Sequence, residues 1–239
     1  MTIAAIIAIV FLAALLQSLS GFGFAIIVMP LVTLLLGLHT AAPTVALVAV
    51  TAYAVNVVRY RHGIDRGEVL RLAAASAVGV PLGIWALKNV DEALVKRLLG
   101  AILVAYSAYA LWRPATGRSA PAWWVYPAGF FAGCLGGAYN TPGPPVILYG
   151  SARRWPRDEF RAVLQALFLA SGLMVVAGHL VAGHVDDTVV RYYASALPAL
   201  ALGIAAGAAV DRRVDHEMFR RLVSAMILGL GVVLLLGIA

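Results

Sequence analysis

Two short stretches, "QSLSGFGF" (17–24) and "NTPGPP" (140–145), put polar side chains and glycines inside otherwise apolar sequence. Neither holds a carboxylate, a cationic side chain, a cysteine or a histidine. Their chemistry must come from amides, hydroxyls and the backbone itself. Glycine permits left-handed backbone and close approach. Proline suits the first turn of a helix, where no N–H is needed. Each stretch therefore reads as the end of one helix and the start of the next. A helix start leaves its first N–H groups unpaired and carries about half a positive charge. Two such starts facing one another would hold an anion without any Lys or Arg. The residues expected to bind are Gln17, Ser20, Gly21, Phe22, Gly23 and Phe24 at the first stretch. At the second they are Asn140, Thr141, Pro142, Gly143 and Pro144. Thr51, Gln165 and Ser171 are expected to line the surrounding cavity, although a hydroxyl bonded back to its own helix fits Thr51 and Ser171 equally well. For one glycine patch, tight helix packing is the simpler reading. Two patches at corresponding places favour a site.

The elements that must position these residues follow from hydropathy. The 239-residue chain is 62% hydrophobic and 12% charged. A soluble domain needs far more polar surface, so the composition points to an all-α polytopic membrane protein. Crossings are expected at 41–58, 69–87, 98–112, 162–182, 192–210 and 222–238. The runs 3–37 and 123–151 are each too long for one crossing, and their halves are short for two. Each is read as a broken helical hairpin that turns within the membrane, or as two short tilted crossings. The N-terminal "MTIAAIIAIVFLAAL" lacks a basic stretch in front and is expected to be retained rather than cleaved.

Charge sets the orientation. The segments 59–71, 113–122, 152–161 and 211–221 hold fourteen of the eighteen Lys and Arg. That side is expected to be cytoplasmic, with both termini outside. The net charge of +7 is thereby explained by loops, and no nucleic-acid partner is expected. "RRWPRDEFR" (153–161) is read as a solvated cytoplasmic face that sets orientation or gates the inner side. Asn56 and Arg59 could guide an anion there, or Arg59 could reach to headgroups. Trp123, Trp124 and Tyr126 are read as interfacial anchors.

An internal repeat is visible at an offset of 120. Gly23 meets Gly143, Thr51 meets Ser171, and "LGI" at 82–84 meets "LGI" at 202–204. The first unit is 1–113, with hairpin 3–37; the second is 114–239, with hairpin 123–151. Each unit crosses an odd number of times, so two in tandem must be inverted. Inverted repeats are a recurrent transporter architecture.

Enzyme chemistry is not expected. There is no H-E-x-x-H and no G-x-S-x-G. One cysteine, Cys134, allows no disulfide framework or cysteine-based metal cluster. No cofactor or metal is expected. The partners are a small anion and the bilayer; coupling to a proton or another ion stays open, as does oligomerisation.

Gly21, Gly23 and Pro30, followed by "NTPGPPVILYG" (140–150), resemble the motifs of the TauE/SafE sulfite-exporter family. The resemblance extends over the chain in length, repeat pattern and loop placement. Phe24 and Ala25 stand where many members have glycine. The resemblance implies transport of sulfite, a sulfonate or a related organosulfur anion. A passive anion channel, or more remotely a membrane enzyme or scaffold, is the alternative.

Overall fold

The computed structural model describes residues 2–89, 120–139 and 142–211, with scattered positions within 97–108 and 218–237. The expected crossings 98–112 and 222–238 lie outside the described residues, apart from those positions. Among the described residues there are eight α-helices and no strand. They are α1 (Thr2–Ser20), α2 (Phe24–Leu36), α3 (Leu38–Tyr60), α4 (Arg66–Asn89), α5 (Val125–Tyr139), α6 (Gly143–Arg153), α7 (Arg157–Val181) and α8 (Asp187–Asp211).

Four helical stretches, α1, α3 with the turn that follows it (His39–Gly63), α7 and α8, are long and apolar enough to cross a membrane. The chain is a multi-pass membrane protein. Leu34, Leu202 and Val181 lie exposed on the outside of the bundle, where a bilayer would cover them. The two arms of the first hairpin are unequal, which corrects the expectation that both are short. At about 1.5 Å per residue, α1 reaches roughly 28 Å, close to the thickness of the hydrocarbon core. Its 19 residues run on through Gln17, Ser18 and Ser20, so the break is confined to Gly21–Gly23. The 13 residues of α2 span only about 20 Å.

Local chemistry explains the breaks. Gly21 and Gly23 have φ of 85° and 100°, a region that side-chain-bearing residues rarely occupy. At the second break Pro142 precedes α6, and Pro144 and Pro145 fill its first turn. These positions need no N–H donor. Asp65 and Asp186 start α4 and α8 by accepting from the backbone N–H groups of Glu68 and Val189.

Three helix pairings dominate. α4 packs on α5, α1 on α8, and α3 on α7. α3 and α7 run antiparallel. Gly63 meets Asp158, the ring of Tyr53 meets that of Phe168, and Gly172 meets Val50. Glycines let the other two pairs close to backbone contact. Gly79 and Gly133 each leave no room for a methyl group against the partner helix, and Gly203 and Gly207 do the same against α1. Tight packing through small residues, offered as the bland alternative for the broken stretches, is the role of these glycines.

Candidate functional site

The first break is held by two buried glutamines. Gln17 of α1 accepts the Phe24 N–H at 3.1 Å through its Oε1. Its Nε2 donates to Gln165 Oε1 of α7 at 3.2 Å. Gln165 Nε2 in turn donates to the Gly21 carbonyl at 2.7 Å. Both side chains are fully buried, and this chain of bonds satisfies backbone groups that the break takes out of helical bonding. Ser20 completes the support. Its hydroxyl donates to Leu16 O or Phe22 O and accepts from the Phe22 N–H.

Beyond this support the two breaks border one cavity. It is lined by Phe22, Gly23, Ala25 and Ile26 from the first break, by Pro142 and Gly143 from the second, and by Tyr53 and Phe168. Its free space suits roughly one water. Of the expected binding residues, Phe22, Gly23, Pro142 and Gly143 therefore face the shared cavity. Gln17, Ser20, Gly21 and Phe24 stand behind it. The Phe24 ring is packed into the core and Phe22 reaches the cavity instead. Pro144 is buried in the first turn of α6. Asn140 and Thr141 lie outside the described residues. Gln165 joins the first break directly. Thr51 bonds back to Leu47 O and also across to the Tyr193 hydroxyl at 2.9 Å. Ser171 meets the Ser76 hydroxyl at 3.5 Å. Both expected hydroxyls thus bridge helices rather than line this cavity.

The donors at the cavity are backbone amides. Helix starts leave their first N–H groups without intrahelical partners. At α2 these come from Ala25 and Ile26, since Phe24 N–H is taken by Gln17. At α6 the prolines leave Gly143 as the described N–H donor. The arrangement brings neutral donors and the starts of two helices to one cavity, which suits an anion. Among the described residues no group of three or more His, Cys, Asp or Glu side chains could hold a metal.

The family model for the sulfite exporter TauE/SafE matches residues 6–234. The chain belongs to the TauE/SafE family. It is 26% identical over 229 residues to a "Probable sulfite/organosulfonate exporter TauE" of Cupriavidus necator, covering 92% of this chain and 88% of that protein. No solved structure matches it.

Reasoning from sequence missed two charged clusters in this TauE/SafE chain. Glu68 is buried at the start of α4, bonded by Tyr149 and faced by Arg71 and Arg153. Asp211, at the end of α8, gathers Arg59, Arg157 and Arg161. Arg161 is buried, and Phe160 beside it packs into the core. The end of "RRWPRDEFR" is therefore the inward-facing first turn of α7 rather than a solvated face. Hydropathy could not show this, because a charged residue at the end of an apolar run reads the same whether it turns in or out. Tyr53 and Phe168 were missed for the converse reason: an aromatic in a span reads as core.

Proposed function

We propose that this protein is a secondary transporter exporting a small sulfur anion, sulfite or an organosulfonate, and binding it between the two breaks near the membrane midplane. The observation that carries the reading is one cavity bordered by both breaks, Phe22, Gly23, Ala25 and Ile26 from one and Pro142 and Gly143 from the other. Family membership and the name of the Cupriavidus necator relative support the substrate class. The amides of Ala25, Ile26 and Gly143 would hold the anion. Asn140 and Thr141 would add side-chain donors. Gln17, Gln165 and Ser20 would keep the first break open to it. The narrowness of the cavity fits a closed conformation. Opening would come from rocking one half against the other, driven by an ion gradient.

The halves are 1–113 and 114–239, related as an inverted repeat. The packing supports this. α1 on α8 matches α5 on α4, while α3 and α7 are counterparts that pack on each other. Gly100 and Gly231, from the two last crossings, also meet. The positive bias supports a cytoplasmic 59–71 and 152–161, with both termini outside.

The test is flux in proteoliposomes. Saturable sulfite flux, stimulated by sulfite on the far side, supports a transporter; linear, unsaturable flux would make it a channel. Asn140→Ala and Gly143→Leu should each abolish flux at normal expression. Full activity in both variants would sink the proposed site.

A further inference from the structure

The seam between α3 and α7 does not end at the cavity. From Tyr53, α3 continues with Asn56 and then Arg59 and Tyr60. From Phe168, α7 runs back through Gln165 and Arg161 to Arg157. The steps of three and four residues place each set on one helical face. Phe168 stands eleven residues, about 16 Å, along α7 from Arg157. At the cavity end the Tyr53 and Phe168 rings meet at 5.4 Å. At the other end stands Asp211. Arg161 grips both its oxygens, Nη1 to Oδ2 at 2.9 Å and Nη2 to Oδ1 at 2.8 Å. Arg157 binds Oδ1, and Arg59 faces Oδ2 at 3.6 Å. Arg161 also donates to the Leu19 carbonyl, and its Cγ lies where a methyl on Gly21 would sit. The carboxylate cluster therefore touches the first break directly.

We propose that Arg59, Arg157 and Arg161 form a second anion station at the cytoplasmic end of this seam, and that Asp211 is its tethered, displaceable occupant. The proposal rests on the anion-transport reading. A sulfite or sulfonate group offers guanidinium forks the same spaced oxygens as a carboxylate. Exposure is graded along the station. The Arg59 side chain is 26% exposed, Arg157 20% and Arg161 2%. An anion arriving from solution meets Arg59 first. The Arg59 Nη1 is buried and has no hydrogen-bond acceptor among the described residues, and neither has the buried Asn56 Oδ1 a donor. These polar atoms lie on the α3 stripe between Asp211 and the cavity. With Asp211 in the fork, the inner end of the seam is shut and α8 is tied to α3 and α7. A substrate anion that takes the fork releases α8. It can then pass Asn56 and Gln165 toward the breaks.

The test uses the full chain, reconstituted, with sulfite as probe. Half-saturating sulfite is read from thermal stabilisation, and flux from proteoliposomes. If Asp211 fills the station nine-tenths of the time, Asp211→Asn lowers half-saturating sulfite about tenfold. Asp211→Glu restores the original value. Half-saturation that is unchanged or higher in Asp211→Asn, in a protein that still carries sulfite, overturns the station. Should that variant not fold, Arg59→Gln decides. A several-fold rise in half-saturating sulfite supports the station, and an unchanged value overturns it. Arg153→Gln, on the separate Glu68 cluster, controls for lost positive charge; a rise as large as that of Arg59→Gln counts against the station. A wild-type protein that neither binds nor carries sulfite or methanesulfonate overturns the transport reading, and the station with it.

Discussion

Gln17 and Gln165 carry the most structural work per residue. Each is a buried amide whose donors and acceptors go to the break or to each other. Gln165→Leu keeps the volume but leaves the Gly21 carbonyl and the Gln17 amide unpaired. A buried group left unsatisfied costs about 1–3 kcal/mol. The variant should therefore unfold at lower temperature in detergent, and its sulfite flux should fall with it. An unchanged melting temperature would show that the bond from Gln165 to Gly21 contributes nothing. The glycines of the two breaks should respond differently. Gly21→Ala forces a methyl to φ 85° and to 2.7 Å from Arg161 Cγ. Such backbone strain costs about 1–3 kcal/mol before the clash is counted. Gly143 is helical, and the nearest atoms to an added methyl, on Ile147 and Phe168, stand at 3.4 Å. Melting curves should show Gly21→Ala clearly destabilised and Gly143→Ala close to wild type; the reverse order would contradict this account of the breaks. The left-handed glycines were legible because few other residues fit there. The partner of Gln17 was not, since 148 residues separate it from Gln165 and no local pattern links them. That Phe22 lines the cavity while the Phe24 ring packs behind it was not legible either, because helical periodicity resets across a break and sequence spacing no longer says which ring faces where.

Element boundaries follow from the limits of hydropathy. The expected crossings 41–58, 69–87, 162–182 and 192–210 fall within or close to Leu38–Tyr60, Arg66–Asn89, Arg157–Val181 and Asp187–Asp211. The helices extend past the apolar runs mainly at their polar ends. Hydropathy reports only the part that meets lipid, while hydrogen bonding carries the helix on into the interface. It also says nothing of which helix meets which. That choice is made by glycine faces. A methyl on Gly133 would come within 2.1 Å of the Ser76 carbonyl, and one on Gly79 within 2.1 Å of the Phe130 carbonyl. Backbone oxygens cannot yield as a flexible side chain can. Gly133→Val should force α4 and α5 apart, and overpacking of this kind costs about 1–3 kcal/mol or more. Gly178, also helical, has nothing within 4 Å of an added methyl. Gly178→Ala should hold or raise stability by up to about 1 kcal/mol through helix propensity. The pair is separated by melting temperature in detergent. Equal effects would mean that helix propensity, not the α4–α5 contact, governs these glycines.

At the scale of the molecule, sequence and packing bear on orientation from separate directions. Hydropathy supplies the spans and the Lys/Arg bias supplies a side, but neither uses any contact between helices. The packing supplies correspondences between elements that the 120-residue offset pairs: α1 with α5, α3 with α7, α4 with α8. Counterpart helices that run antiparallel, as α3 and α7 do, are what opposed halves require. The charge bias then has a mechanical meaning. The Asp211 and Glu68 clusters both lie at the end of the bundle that the bias assigns to the cytoplasm, so ion pairs hold that end together. At the opposite end of α7, the turn 182–186 is tied instead through His184, whose Nδ1 stands 3.2 Å from that of His179 in the last turn of α7. The assignment can be tested without any transport assay. Cys134 is the sole cysteine, so Cys134→Ala gives a background without thiols. On it, Arg61→Cys would place one thiol at the exposed turn after α3, and His184→Cys one at the exposed turn before α8. A membrane-impermeant maleimide added to intact cells should label His184→Cys and spare Arg61→Cys until the membrane is opened. The opposite pattern would turn the molecule over and put the Asp211 cluster at the outer mouth. Labelling of both in intact cells would mean that α7 does not separate the two turns across the bilayer, which neither an inverted repeat nor a closed inner end could survive.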